Sequence, residues 1–543
     1  MGAEDSGACA FRTFVSFIIS FGTRDDMPNP HLASIGIDGQ APISKIMLQK
    51  DRLRKGSAVT HPKHDHVFRN ALIFDGGGGQ AYMGELAVGG DRITAVGPPG
   101  TIRFGAGDQE HDLSGLALSP GFIDAHTHDD RIVLDAPAMV PKVSQGVTTV
   151  VTGNCGISLA PVTFTGEPPP PMNLLGSSKA YGFPSFAAYA AAVKKAAPGI
   201  NVAALVGHSA LRLATMSDVT RKARGKEINA MLAHADEAMA NGAIGFSTGL
   251  FYPPNAAADM DEVSQIAARF AEKGGVYATH MRDEFDHVLD SIEETLQTAG
   301  KAHIPVVISH HKCAGPRNWG RTRETLPKIE AAAARQRVNF DVYPYAAGST
   351  NLRADLVTGE YRIMISWSRP HPEMNGRDLS TIAAKWNCDL QDAARRLDPA
   401  GAIYFQMDEA DVCRVMRSKL AMIGSDGLPH DAHPHPRLWG TFPRVIGHYA
   451  RDLGLFPMET AVHKMTGLPA EVFKLKDRGR LERGYFADLV VFDPETIIDR
   501  ATYASPLVPA SGIAKVYVNG RLSYAEEKGA TPGAGRLIGG NGA

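Results

Sequence analysis

The sequence predicts an α/β protein: a (β/α)8 TIM barrel, a small β-sandwich built from both ends of the chain, and a lid subdomain inserted in the barrel. Three observations carry this prediction. Between residues 119 and 478, short apolar strands ending in polar residues recur eight times, most of them separated by helical stretches. Strand-and-turn segments bracket that stretch at 66–118 and 479–530. A long excess, 347–407, separates the seventh strand from the eighth, more than a βα loop needs.

In chain order, residues 1–65 show no sustained period and read as a poorly ordered extension. Phe11–Gly22 (FRTFVSFIISFG) is apolar but lacks the basic segment and small-residue cleavage site of a signal peptide. It is also shorter than the roughly 18 residues of a membrane span. His61, His64 and His66 in HPKHDH offer metal-binding nitrogens, but a solvated linker is the reading preferred for them. VFRNALIFDGGGG and ELAVGGDRITAVG follow as strands, the second crossing a Gly89-Gly90 hairpin turn. The run Gly76–Gly79 leads into neither a helix nor a GK[ST] sequence, so it is a turn and not a phosphate cradle. At the far end, GRLERGYFADLVVFD and IAKVYVNGRL are again strands, free to pair with the first set.

The barrel strands are GFIDAHTH, TTVVTGNCG, NVAALVGHS, GAIGFSTGL, GVYATHMRDE, PVVISHHK, VNFDVYPY and AMIGSDG. Helices between them carry their own stop signals: EINAMLAHADEAMANG ends at Gly242, and DMDEVSQIAARFAEKGG starts on acids and ends at Gly274. The 347–407 excess is read as a lid over the barrel mouth.

Charge and cysteine content narrow the function. Lys plus Arg number 56 against 58 Asp plus Glu, so no basic excess marks a nucleic-acid or anionic-membrane surface. Five scattered cysteines form no disulfide framework and point to a reducing, cytoplasmic location. The expected partner is a small-molecule substrate; oligomeric state is left open.

TIM-barrel chemistry sits at the C-terminal ends of the strands. There strand one carries His126 and His128, strand two Cys155, strand five His280, and strand six His310, His311 and Lys312. A lone HxH is a weak signal, but thiolate and imidazole are zinc's preferred donors, and five or more on one rim point to a metal. Asp426 closes strand eight, placed to take a proton from an activated water. His208 ends strand three and is expected to support the ligands without ligating. His430, His433 and His435 lie in a proline-broken loop and read as structural.

From Val67 to Leu522 these residues resemble the amidohydrolase superfamily and, within it, the N-acyl-D-amino-acid deacylases, or D-aminoacylases. The resemblance is carried by PGFIDAHTHDD, GNCG, THMRDE, SHHK, VYPY, GSDGLPHD, HPRLWGTF and GRLERGYFADLVVFD. It implies zinc-dependent hydrolysis of an N-acyl-D-amino acid to a free D-amino acid and a carboxylate, with a zinc-activated water and Asp426 as general acid/base. It assigns Cys155, His280 and His310 to one tight Zn2+ and His126 with His128 to a second, weaker or partly occupied site. His311, adjacent to His310, points the other way. Lys312, Tyr343 and Arg437 match residues that hold the substrate's α-carboxylate.

A substrate with an acidic side chain needs a further cation, for which Arg353 and Arg362 at the start of the insert are candidates. Asn318, Trp319 and Arg321 are candidates for the pocket wall. Two alternatives stay open: a metal-dependent hydrolase of another amide or a cyclic imide, and a non-catalytic scaffold on the same fold. Strand four, GAIGFSTGL, has no lysine to carbamylate as dihydroorotases and hydantoinases do, which counts against the cyclic imide. Cys155 as a nucleophile is disfavoured, because a zinc-bound thiolate is quenched.

Overall fold

The computed structural model describes residues 64–539 apart from 104 and 106. His61 and nearly all of the 1–65 segment lie outside the described residues. Its last two residues already belong to the fold. His64 is 2% exposed with Nδ1 2.8 Å from Thr94 Oγ1, and Asp65 N donates to Val88 O at 2.7 Å. An isolated histidine carries no periodic signal, which is why the sequence reading stopped short of them.

Five strands come first: β1 (His66–Ile73), β2 (Tyr82–Gly89), β3 (Arg92–Gly97), β4 (Gln109–Asp112) and β5 (Ala117–Pro120). The barrel follows with β6 (Phe122–Asp124), β7 (Val147–Thr152), β8 (Asn201–Gly207), β9 (Gly245–Gly249), β10 (Val276–His280), β11 (Val306–Ile308) and β12 (Val338–Val342). The insert contributes β13 (Gly348–Asn351), β14 (Ile363–Ser368) and β15 (Ala400–Tyr404) before the last barrel strand, β16 (Ala421–Ile423). The chain ends with β17 (Leu489–Phe492), β18 (Ile513–Val518), β19 (Arg521–Ala525) and β20 (Gly529–Ala530).

The barrel strands pair in parallel in sequence order from β6 to β16. Their apolar runs are buried along their length, as strands covered on both faces must be. The seam between β16 and β6 is closed by single contacts: Ala125 N to Ile423 O at 3.2 Å, Asp426 N to His126 O at 2.8 Å, and a bridge from Thr127 to Gly427. Side chains such as Ile123, Val151, Leu205, Val276 and Met422 fill the interior. Phe473, Leu475 and Ile538 pack into the same cluster from the base. The C-terminal segment therefore runs past the expected boundary at 530, with Ile538 N donating to Val202 O at 2.8 Å. The helix Met260–Glu272 starts where expected, with the Asp259 side chain accepting from Glu262 N.

Both chain ends build one sheet, since β17 pairs antiparallel with β5 in the order β20-β19-β18-β17-β5-β1-β2-β3, with β4 on β1. It curls until Ile93 N donates to Tyr485 O at 2.9 Å, enclosing a core that includes Phe68, Leu86, Leu118, Leu489 and Tyr517. The insert has its own antiparallel sheet, β13-β15-β14, and its own core, with Leu356, Ile365, Ile382, Leu397 and Tyr404. Among the described residues no helix is long and apolar enough to cross a membrane.

Candidate active site

Five of the eight strand ends, those of β6, β7, β10, β11 and β16, converge on one buried cluster. Strand β6 stops at Asp124, so His126 and His128 lie on the turn beyond it, not in the strand as their spacing had implied. They still converge, their ring centroids 5.6 Å apart. Cys155 Sγ lies 3.3 Å from His126 Nε2 and 3.4 Å from His310 Nε2. His280 completes a second triple with Cys155 and His310, and Asp426 a third with His126 and His310. Among the described residues, every group of three donors close enough to share a metal draws on these six side chains.

Backbone conformation aims three of them. Cys155, His310 and Asp426 have φ of +55°, +35° and +50°. Non-glycine residues in this region cost roughly 1–3 kcal/mol each and collect at functional sites. The neighbouring Gly156 has φ of +74°, and a Cβ there would sit 2.9 Å from Gly249 N. Glycine is what lets the cysteine turn press against β9.

Two of the candidate ligands, His126 and His310, are oriented from behind. Asp341 Oδ2 lies 3.2 Å from His126 Nδ1, and its Oδ1 accepts from His310 N at 2.9 Å. Glu284 Oε1 lies 3.0 Å from His310 Nδ1. A proton on each of those Nδ1 atoms leaves Nε2 bare toward Cys155, the tautomer a metal requires. Burial pushes the Cys155 thiol up, but the His126 and His310 imidazoles outweigh it and hold it well below its ordinary value. A thiolate among imidazoles is a donor set matched to zinc. His128 Nδ1 and His280 Nδ1 are buried without a hydrogen-bond partner, a cost that metal ligation in this cluster relieves. On both counts the residues fit a zinc ion.

Asp426 Oδ1 faces the imidazoles, 3.2 Å from His128 Nε2 and 3.5 Å from His126 Nε2. Its Oδ2 is 3.0 Å from Arg437 Nη1. Burial raises the Asp426 carboxyl, but Arg437 and His126 more than reverse this and hold it well below the usual range. Arg437 is fully buried, donates to Ser349 O at 3.1 Å and stacks 4.5 Å over the Tyr343 ring. Lys312 Nζ is 2.8 Å from both oxygens of Glu284 and 5.9 Å from the Tyr343 ring. The Tyr343 hydroxyl touches only Met407 Sδ, at 3.8 Å. Lys312, Tyr343 and Arg437 are thus brought together, each cation with its own carboxylate.

Other expected residues lie elsewhere. Arg353 is clasped by Asp355 at 2.6 and 3.0 Å and stacks on Phe251, and Arg362 pairs with Asp378 at 2.8 Å on the surface. Neither lines the cavity. Asn318, Trp319 and Arg321 form their own loop network through Asp286 and Gln406, also off the cavity wall. His208 pairs with Glu262 at 3.1 Å and supports no ligand. His311 turns outward to Thr325 Oγ1 at 2.9 Å. His433 and His435 contact Tyr503, and neither they nor His430 join a metal-competent group.

The sequence reading missed Glu284, Asp341 and Tyr252. The first two were visible only as letters inside quoted motifs, since a carboxylate behind a ligand has no spacing of its own. The buried Tyr252, its ring 4.9 Å from His280, places a hydroxyl 3.1 Å from Thr350 Oγ1. Beyond the donor cluster the cavity is lined by Leu174, Phe251, Phe285, Leu356 and Leu428 together with Tyr252, Ser349, Thr350, Tyr404 and Gln406. A separate groove of about 760 Å³ at the barrel base, beside Pro305 and Arg337, holds none of the ligands.

Comparison with known proteins follows this geometry. Residues 109–524 match the Amidohydrolase family model. A D-aminoacylase from Alcaligenes xylosoxydans xylosoxydans is 52% identical over 87% of this chain and 97% of its own. An N-acyl-D-aspartate deacylase from the same organism is 48% identical over 87% and 95%. The crystal structure of the Bordetella bronchiseptica N-acyl-D-glutamate deacylase, complexed with zinc and a phosphonate mimic of the tetrahedral intermediate, superposes with a TM-score of 0.84 at 44% identity, covering 88% of this chain and 99% of that one.

Proposed function

This chain belongs to the amidohydrolase family, in its N-acyl-D-amino-acid deacylase (D-aminoacylase) branch, and on that premise we propose that it hydrolyses N-acyl-D-amino acids with apolar side chains at a zinc held by Cys155, His280 and His310. His126 and His128 are the candidates for a second, weaker site. The observation that carries the reading is one buried cluster in which Cys155 meets four imidazoles and two of these, His126 and His128, face the Asp426 carboxylate.

Zinc bound there supplies a Lewis acid for the scissile carbonyl and lowers a water's pKa from near 16 toward about 7. Asp426 does the proton work. Its Oδ2 is committed to Arg437, so Oδ1, which faces the ligands, takes the proton of the attacking water and returns it to the departing amine. Lys312 and Tyr343 line the cavity, with the buried Arg437 stacked on the Tyr343 ring, and this group can hold the α-carboxylate. Among the described residues lining the cavity, Lys312 is the one permanent cation and Glu284 engages it, which leaves apolar walls for the substrate side chain. The D preference is carried over from the relatives. The four cysteines among the described residues are free thiols, which supports a cytoplasmic location.

Amino-acid release from N-acetyl-D-leucine, N-acetyl-L-leucine and N-acetyl-D-glutamate by zinc-loaded protein tests the reading. N-acetyl-D-leucine is expected to be the best substrate of the three. Preference for the L compound removes the D assignment, and preference for D-glutamate removes the apolar pocket.

A further inference from the structure

Beneath the proton-carrying carboxylate lies a buried ion cluster to which the chemistry above gives no part. Lys142 is 1% exposed, on the short helix Val140–Val143 after the strand-one turn. Its Nζ is 2.8 Å from Asp124 Oδ2, 2.6 Å from Ser425 Oγ and 3.5 Å from Asp129 Oδ2. Asp124 and Ser425 are fully buried. Asp124 Oδ1 in turn accepts from Ser425 N at 2.7 Å and from His126 N at 3.3 Å.

These contacts straddle the barrel seam. Asp124 ends β6, two residues before His126; Ser425 follows β16, directly before Asp426. No strand ladder joins β6 to β16, so the relative placement of His126 and Asp426 rests on single contacts across the seam. Asp426 also has a left-handed backbone, a conformation that persists only where its surroundings enforce it. Ser425 Oγ accepts from Gly427 N at 3.2 Å, and a Cβ on Gly427 would stand 3.2 Å from Lys142 Nζ. The ammonium thus lies under the turn that presents Asp426, held between Asp124 and Asp129.

We infer that Lys142, through Asp124 and Ser425, is a positioning residue that sets Asp426 against His126 across the seam of the barrel. This rests on Asp426 being the proton carrier. A cation explains the choice of side chain: from one atom it hydrogen-bonds the buried Asp124 carboxylate and the Ser425 hydroxyl and offsets the charge of Asp129, 3.5 Å away, which no apolar residue can do. The clasp touches neither the α-carboxylate group of Lys312, Tyr343 and Arg437 nor the Cys155, His280 and His310 set.

The test compares Lys142→Met and Ser425→Ala with wild type for kcat, KM and zinc content on N-acetyl-D-leucine. Ser425→Ala removes one hydroxyl and leaves the Lys142–Asp124 pair, so it keeps the test decisive should Lys142→Met fail to fold. Lys142→Met is expected to lower kcat at least about tenfold and Ser425→Ala about threefold, with KM within twofold and zinc unchanged. Wild-type kcat in folded Ser425→Ala, or KM and zinc content falling in step with kcat, overturns the inference. A wild type that releases no amino acid overturns both this inference and the proposed function. An active wild type matched by its Ser425→Ala variant overturns the clasp alone.

Discussion

Two buried trios in this protein have the same make-up, an imidazole, a carboxylate and a cation, and opposite uses. In His310–Glu284–Lys312, the histidine gives Nδ1 to Glu284 and keeps Nε2 toward Cys155, while Lys312 lines the cavity. In His208–Glu262–Arg212, the histidine gives Nε2 to Glu262, and Arg212 Nη2 donates to Val219 O at 3.0 Å and Arg221 O at 2.6 Å. Glu262 Oε2 takes Ala223 N at 3.1 Å as well. The second trio turns onto itself and the loop it pins, and its spare atoms, His208 Nδ1 and Arg212 Nε, are buried away from the cavity. The first leaves one nitrogen and one ammonium facing the same space. Composition and burial are alike, and the direction of the unspent valences separates chemistry from architecture.

The sharpest way to break this comparison is to remove the atom toward which the first trio points. Cys155→Ala should lose zinc and activity together, by metal analysis beside turnover, whereas no substitution in the second trio should release metal. A variant with full zinc and normal turnover would dismiss the ligand set.

The two carboxylates can then be neutralised in parallel. Glu284→Gln should weaken zinc affinity by about 10- to 100-fold, the usual effect of losing a partner behind a histidine ligand. Glu262→Gln should leave zinc affinity unaltered and lower stability by about 3–5 kcal/mol, as breaking one side of a buried ion pair does. Chelator competition and thermal melts read the two effects. Equal zinc loss in both variants would erase the distinction between the trios.

Arg437 sharpens the picture from the substrate side. Arg437→Ala should lower kcat/KM for N-acetyl-D-amino acids at least roughly tenfold, about 1.4 kcal/mol. The corresponding amides, lacking the carboxylate, should suffer less. Because Arg437 also holds Asp426 Oδ2, part of the loss should appear on both substrate series; an identical loss on both would deny any contact with the carboxylate.

The smallest effect is in acid. Burial raises the Glu262 carboxyl, but His208 and Arg212 overcome it and leave the group at about 2. The unfolded value is about 4.3. A depressed carboxyl adds stability that is fully present above the unfolded value and is lost as pH falls through the folded one. The melting temperature of wild type should therefore fall between about pH 4.3 and 2 more steeply than that of Glu262→Gln; parallel curves would show that Glu262 carries no such linkage.

How much of this was legible in the sequence follows the same logic. Barrel strands are apolar runs ending in polar residues, so GFIDAHTH and PVVISHHK announced both the fold and the candidate donors that cluster at its mouth. The insert and the joining of the chain ends could be read from element spacing. Glu284, Asp341 and Lys142 could not, because a group that acts through a neighbour leaves no periodic or motif signal. Arg353 was singled out for its charge, and its charge is answered two residues away by Asp355. Ile538 was lost because a short tail plugging the barrel base resembles any terminus.

The central claim is that Asp426 carries the proton beside the metal-ligand set, and its most direct test is Asp426→Asn assayed for kcat and zinc on the same preparation. The amide preserves shape but neither relays a proton nor carries the charge that faces Arg437 Nη1 at 3.0 Å. Turnover is expected to fall by about 10²–10⁴-fold, the usual weight of a general acid/base, with zinc retained at wild-type stoichiometry. Turnover unaltered in the zinc-loaded variant would contradict the account.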